Sequence, residues 1–274
     1  MMFGLILLFI IIGLFAGATG SIVGIGGGMF FVPALLFFVN QQAPGTMTPQ
    51  MAAATSLAVI AVTGLSSSLS YLKQKRVDTQ AALLFFLGSA PGAVAGVYLN
   101  KLLHFESFSL FFGLFQLGMF VLLMVRDRIK PRTLRWDVKR TFIDAEGIEY
   151  EYGYQRWLAV TIAFFVGIVS SLFGVGGGIL MVPSMIILFR FPPHVATATS
   201  MLVIFLSAVV GSVTNALHGH IDWLYAACLA PGAWFGGKAG AQIAARLKGK
   251  TVVLVLRVLI LGIAIQMIGE AILE

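Results

Sequence analysis

Two stretches of this 274-residue chain carry four glycines in five residues, and both lie inside long apolar runs. The first is Gly24-Ile25-Gly26-Gly27-Gly28-Met29-Phe30-Phe31-Val32-Pro33. The second is Gly174-Val175-Gly176-Gly177-Gly178-Ile179-Leu180-Met181-Val182-Pro183, at a constant offset of 150. Each glycine costs about 1 kcal/mol relative to Ala inside a helix, so neither block can hold a regular one. In hydrocarbon, every freed backbone group must be satisfied by protein or water. A helix that restarts at Met29 or Ile179 opens with unsatisfied N–H groups and about half a positive charge. Glycines before that start let an anion approach the backbone closely. The chemistry offered at Gly24, Gly26, Gly27 and Gly28, and again at Gly174, Gly176, Gly177 and Gly178, is anion binding by main-chain amides. The competing reading is tight helix packing, which small residues also permit.

Hydroxyls sit at matching places. Thr55-Ser56 follows Ala54, and Thr199-Ser200 follows Ala198. These four side chains suit sulfonate or carboxylate oxygens, although Ser and Thr also bond back within their own helices. Asn215, Gln116 and Gln266 are lone amides in apolar segments, read as interhelical contacts. Pro91 and Pro231 mark expected kinks. All eleven Asp and Glu fall in loops, termini or helix ends. A cation transporter or proton relay would place one within the membrane. Asp78 and Asp222 read as helix N-caps. Lys238 and Arg257 lie within helices near a basic cluster and read as snorkelling side chains, with anion attraction as the alternative. His218 and His220 fall in a loop. No catalytic or metal-binding constellation and no cofactor motif is found. The glycine blocks lack the preceding strand that a dinucleotide loop needs. Gly13, outside the break, is expected to accept Ala.

The elements that must position these residues are membrane helices. Apolar residues make up 59% of the chain and charged ones 11%, with mean hydropathy +0.96. Crossing a bilayer takes roughly 20 apolar residues, and several runs reach that length. The start lacks a basic region and a cleavage site, so the first apolar segment is expected to stay. Cys228 stands alone, which leaves no disulfide to form. Expected helices run to about Val23, Met29–Val39, Met51–Leu72, Asp78–Asn100 with a break near Ala90-Pro91-Gly92, and Phe105–Val125. Residues 126–156 form a hydrophilic linker with eight Lys and Arg. The second half repeats the plan: Trp157–Phe189 split by glycines, then Val195–Leu217, Asp222–Leu247 and Thr251–Leu273. Ala90-Pro91-Gly92-Ala93 answers Ala230-Pro231-Gly232-Ala233. This is an internal duplication, with 1–125 and 157–274 as its two transmembrane repeats.

Basic residues give the orientation. If each split segment crosses once, 11 lie on one side and 5 on the other. If it enters and returns, 15 share one side and only Lys101 is opposite. The second arrangement makes the halves inverted repeats, with both termini outside and the linker cytoplasmic. The expected fold is an all-α polytopic membrane protein of about 8 full transmembrane helices plus short broken or re-entrant segments. Inverted repeats with interrupted helices point to a secondary transporter with a midplane site. The net charge of +7 is spent on topology and anionic lipid rather than nucleic acid.

The duplicated GxGGG-x4-P blocks, the paired Ala-Thr-Ser and Pro-Gly-Ala segments and the length resemble the sulfite exporter TauE/SafE family of bacterial membrane transporters. The resemblance spans nearly the whole chain outside the linker. It implies export of small sulfur-containing anions such as sulfite, sulfoacetate or other organosulfonates across a bacterial inner membrane, driven by an ion gradient. H+ is one such coupling ion. A dimer is compatible with it, and it fixes neither the substrate nor the linker's role. The alternatives are a passive anion channel and, more remotely, a membrane-embedded enzyme or insertion factor.

Overall fold

The computed structural model describes residues 2–43, 45–100, 136–143 and 149–247, with scattered positions in 111–124 and 254–262. The helices expected near 105–125 and 251–273 fall mostly outside these residues, as do Gln116, Gln266, Arg257 and much of the basic linker. In order the elements are α1 (Met2–Val23), α2 (Gly28–Gln42), α3 (Pro49–Lys73), α4 (Thr79–Asn100), β1 (Val138–Ile143), β2 (Glu149–Tyr154), α5 (Arg156–Phe173), α6 (Gly178–Phe189), α7 (Pro193–Leu217) and α8 (Trp223–Ala244). Helix starts follow local chemistry. The Thr48 hydroxyl accepts from the Met51 N–H at 3.2 Å, and Pro49 needs no N–H bond there. Asp78 Oδ1 accepts from the Ala81 N–H and Asp222 Oδ1 from the Leu224 N–H, each at 3.0 Å.

Five described helices are long and apolar enough to cross a membrane: Gly4–Val23, Pro49–Lys73, Thr79–Asn100, Arg156–Phe173 and Pro193–Leu217. α2 and α6 are apolar but have only 15 and 12 residues. At 1.5 Å per residue they reach about 22 and 18 Å, short of a hydrocarbon core of about 30 Å. Each can cross only part of it.

Packing is organised in reciprocal pairs. α1 runs parallel to α8, and α4 parallel to α5. A Cβ on Gly232, Gly236 or Gly240 would lie 2.0–2.3 Å from the carbonyl oxygens of Ile10, Leu14 and Ala18 in turn. One on Gly88, Gly92 or Gly96 would lie 2.1–2.3 Å from those of Val160, Phe164 and Ile168. Backbone therefore touches backbone along both seams, the close approach that small residues permit between membrane helices. α3 and α7 run antiparallel, since Gly64 faces Phe205 while Gly211 faces Leu57.

Three expectations need correction. Gly13 lies on the α1–α8 seam, where a Cβ would be 2.4 Å from the Leu229 carbonyl oxygen. It cannot accept Ala without a backbone shift. α4 and α8 pass through Pro91 and Pro231 without interruption, held on both sides of each proline by the glycine seams. The helical architecture stands, but the linker, expected only as a hydrophilic connection, carries an antiparallel hairpin that pairs Arg140 with Tyr152. Lys139, Thr141, Glu149 and Glu151 are exposed, but Tyr152 and Tyr154 are 5% and 3% exposed. They pack on Phe85 and Phe191, with the Tyr152 and Phe191 ring centroids 4.4 Å apart. That aromatic anchor holds the hairpin to the end of the bundle.

Candidate functional site

The two glycine blocks lie back to back at the centre of the molecule, and every residue from Gly24 to Gly28 and from Gly174 to Gly178 is buried. Gly24, Gly26 and Gly27 have φ of 82°, 89° and 91°, and Gly174, Gly176 and Gly177 have 68°, 82° and 71°. These are left-handed conformations that only glycine adopts cheaply. Gly28 and Gly178 are glycine for a different reason. A Cβ on Gly28 would lie 2.5 Å from the Gly174 carbonyl oxygen, and one on Gly178 would lie 2.1 Å from that of Gly24. Each half-helix thus begins pressed against the opposite loop. Ile60 and Ile204 occupy equivalent places in the two repeats, and their Cγ2 atoms would contact a Cβ on either Gly26 or Gly176.

The four hydroxyls brace this arrangement. Ser56 donates to the Gly174 carbonyl at 2.7 Å, and Ser200 donates to the Gly24 carbonyl at 2.9 Å. Thr55 Oγ1 accepts from the Asp222 N–H and Thr199 Oγ1 from the Asp78 N–H, both at 3.0 Å. All four side chains are 0% exposed. Each bond crosses from one repeat to the other, and each has a mirror. Reciprocal contacts of this kind are what a two-fold relation generates. In this conformation the two serines satisfy carbonyls of the glycine breaks, and the two threonines satisfy the amides that precede α8 and α4.

The loops satisfy part of their own backbone as well. The N–H groups of Gly24, Ile25 and Gly26 converge on the Gly20 carbonyl at 2.9, 2.7 and 3.2 Å. The Val175 N–H reaches the Ser170 carbonyl at 3.1 Å. No side chain caps α2 or α6, so the first amides of both half-helices remain the electropositive ends of their dipoles.

The repeats then diverge. Beside Gly176 and Gly177 lies a cavity of about 10 Å³ whose lining includes Ser89, Ser170 and Ser207. That is the space one water needs. Ser89 and Ser207 share a 2.6 Å hydrogen bond. At the places that answer Ser170, Ser89 and Ser207, the chain has Gly20, Leu229 and Thr63 in turn. There a Cβ on Gly27 would meet the Ala16 carbonyl oxygen at 2.7 Å and the Phe31 ring at 3.2 Å. The space is filled. The three serines are the site residues that motif reading misses, and the signal for them is the departure from the repeat rather than the repeat itself.

A family model for "Sulfite exporter TauE/SafE" matches residues 9–267. The chain belongs to this family. Similar proteins include the "Probable membrane transporter protein YunE" of Bacillus subtilis (strain 168), 47% identical over 265 residues, 96% of this chain and 97% of that one. A "Probable membrane transporter protein" of Xylella fastidiosa (strain Temecula1 / ATCC 700964) is 28% identical over 93% of this chain and 92% of its own. "Sulfite exporter TauE/SafE family protein 6" of Arabidopsis thaliana is 27% identical over 81 residues, 30% of this chain and 19% of that one. No solved structure matches.

Among TauE/SafE proteins this chain is a multi-pass membrane transporter rather than an enzyme. The other polar residues raised by the sequence lie in ordinary surroundings. Lys238 is exposed on α8. Asn215 donates to the Gly211 carbonyl within its own helix at 2.9 Å. His218 Nδ1 lies 2.7 Å from the Thr214 carbonyl oxygen, and its ring stacks on that of His220. Among the described residues no cluster of His, Cys, Asp and Glu could hold a metal.

Proposed function

We propose that this protein is a secondary transporter that exports small sulfur oxyanions, sulfite or organosulfonates such as sulfoacetate, by alternating access. The anion site lies at the glycine breaks. One observation carries the reading. Two half-helices begin at the buried centre with uncapped N–H groups, each pressed on the opposite loop. Two like-signed dipole ends held together in a low-dielectric interior favour a bound anion. The serine-lined cavity favours a seat at Gly176 and Gly177, in the second repeat.

The antiparallel course of α3 and α7, which answer one another in the duplication, supports inverted repeats. So does the charge distribution. With the glycine-split segment entering and returning, and the helices near 105–125 and 251–273 included, each repeat makes an odd number of passes, and the termini lie outside. A bacterial inner membrane and a proton gradient are the setting that the family suggests. A cavity of about 10 Å³ cannot admit an oxyanion of four or more heavy atoms, since it holds about one water. The loops must therefore separate to load, as alternating access requires. A passive channel would instead need a path that stays open here.

Counterflow in liposomes tests this. Vesicles loaded with sulfite should transiently accumulate labelled sulfite, with saturation, and should not leak chloride. Chloride leak without counterflow would establish a channel. Counterflow of carboxylates but not of sulfite or sulfonates would overturn the substrate class.

A further inference from the structure

A second pocket, of about 260 Å³, lies between the linker hairpin and the turn that joins α3 to α4. Lys75, Arg76, Asp78, Gln80, Arg140 and Tyr152 form its polar lining. Its charge is unbalanced. Asp78 supplies the one carboxylate of the lining, and both its oxygens are occupied. Oδ1 caps α4 through the Ala81 N–H at 3.0 Å, and Oδ2 accepts from the Tyr152 hydroxyl at 3.1 Å. The guanidinium groups keep spare donors. Arg76 gives Nη2 to the Ala245 carbonyl at 3.3 Å, yet its Nη1 is closed to solvent with no partner. Arg140 gives Nη2 to Gln80 Oε1, yet its Nε is buried with no partner. A buried charged donor without an acceptor is costly. Two residues that carry such donors line one pocket, and they ask for an acceptor from outside the chain.

We propose that this pocket binds a multiply charged tetrahedral oxyanion of the phosphate type, held by Arg76 and Arg140. Planar guanidinium forks match such an anion, and charge-assisted bonds to it are short and strong. Lys75 adds a third cation at the rim. The first amides of α4, at Thr79 and Gln80, add helix-start donors. The volume exceeds what one carboxylate needs and admits a phosphate with part of the group that carries it. That phosphate is either free in solution or borne by a lipid headgroup. The pocket is also wired to the glycine loops. The Asp78 N–H bonds Thr199, and the next residue, Ser200, holds the Gly24 carbonyl. Occupancy therefore fixes the α3–α4 turn against the helix that braces the first glycine block. The site is separate from the transport seat, so its test does not depend on which anion is carried.

The test uses the full-length protein and hydrogen exchange of residues 75–80 and 138–142. In neutral detergent, inorganic phosphate is titrated against chloride at constant ionic strength. In nanodiscs, phosphatidylglycerol is compared with phosphatidylcholine. Saturable protection of both segments by free phosphate assigns a soluble ligand, and protection by phosphatidylglycerol alone assigns a lipid headgroup. Arg140→Gln, on a hairpin outside the bundle, should weaken the effect at least tenfold, and Arg76→Gln should do the same. Lys139→Gln should leave it unchanged, because Lys139 points away in an exposed pair with Glu151 at 3.9 Å. No protection in either arm, or undiminished protection in Arg140→Gln, overturns the proposal.

Discussion

Gly177→Ala separates a binding role for the glycine breaks from a packing role. The backbone at Gly177 has φ 71° and ψ −14°, a left-handed conformation that costs an Ala about 1–2 kcal/mol. The space is tight but bounded by side chains, which must give by a few tenths of an ångström. The nearest atoms to an added Cβ are Val166 Cγ1 at 3.1 Å and Ser170 Cβ at 3.2 Å, both side-chain atoms at the edge of the small cavity. The protein should therefore fold and reach the membrane with modestly reduced stability. The new methyl group would stand where an oxyanion must approach the amides of α6. Loss of that approach should weaken apparent affinity at least tenfold, or about 1.4 kcal/mol. Gly27→Ala is the counterpart with a different expected failure. Its Cβ would meet the Ala16 carbonyl oxygen at 2.7 Å, so protein level should fall with transport. Gly4→Ala is the control, since nothing lies within 4 Å of its Cβ. The assay is concentration-dependent sulfite counterflow, normalised to the amount of folded protein in the vesicles. Wild-type affinity in Gly177→Ala at wild-type protein level would refute the anion seat and leave the glycines as packing residues.

Two further outcomes follow from the bracing and from the charge count. Ser56→Ala and Ser200→Ala each strip a buried loop carbonyl of its side-chain donor, which should cost about 1–3 kcal/mol and lower the thermal midpoint in detergent by similar amounts in the two variants. Unequal losses would show that the two braces are not mechanically equivalent. A C-terminal reporter active only in the cytoplasm should stay silent in cells that make functional protein, and a signal from it would remove the inverted arrangement.

The sequence displays what is local. The glycine blocks, the aspartate caps and the half-helix starts were all legible, because each depends on neighbours within one helical turn. The repeat was legible too, since it needs only comparison of the chain with itself. What Thr55, Ser56, Thr199 and Ser200 do was not. Their partners are 118 to 176 residues away, and a hydroxyl's type says nothing about which distant carbonyl it will meet. Gly13 and Gly4 look alike in sequence, yet only Gly13 lies on a seam between helix backbones. The hairpin was hidden for a different reason. Tyr150, Tyr152 and Tyr154 recur with the period of a strand, but the charges around them carry the composition of a solvated linker.

The two repeats agree in one respect and differ in another, and the difference locates the work. The contacts that cross between the repeats are duplicated: the Ser56 and Ser200 braces, the Thr55 and Thr199 contacts, and the Gly28 and Gly178 close approaches, as are the left-handed glycines. On the proposed reading, a transporter that opens to either side needs equal strength in its two halves, which duplicated bonds provide, whereas one bound anion needs only one seat. The polar lining is accordingly one-sided. Ser89, Ser170 and Ser207 face the start of α6, whereas the corresponding space at the start of α2 is closed by Ala16 and Phe31. Adding a hydroxyl at Leu229, the counterpart of Ser89, would therefore not create a second seat, because Phe31 would still fill it. Removing Ser207 from the second repeat would leave the braces intact, while taking one hydroxyl from a bound oxyanion and from Ser89 its 2.6 Å partner.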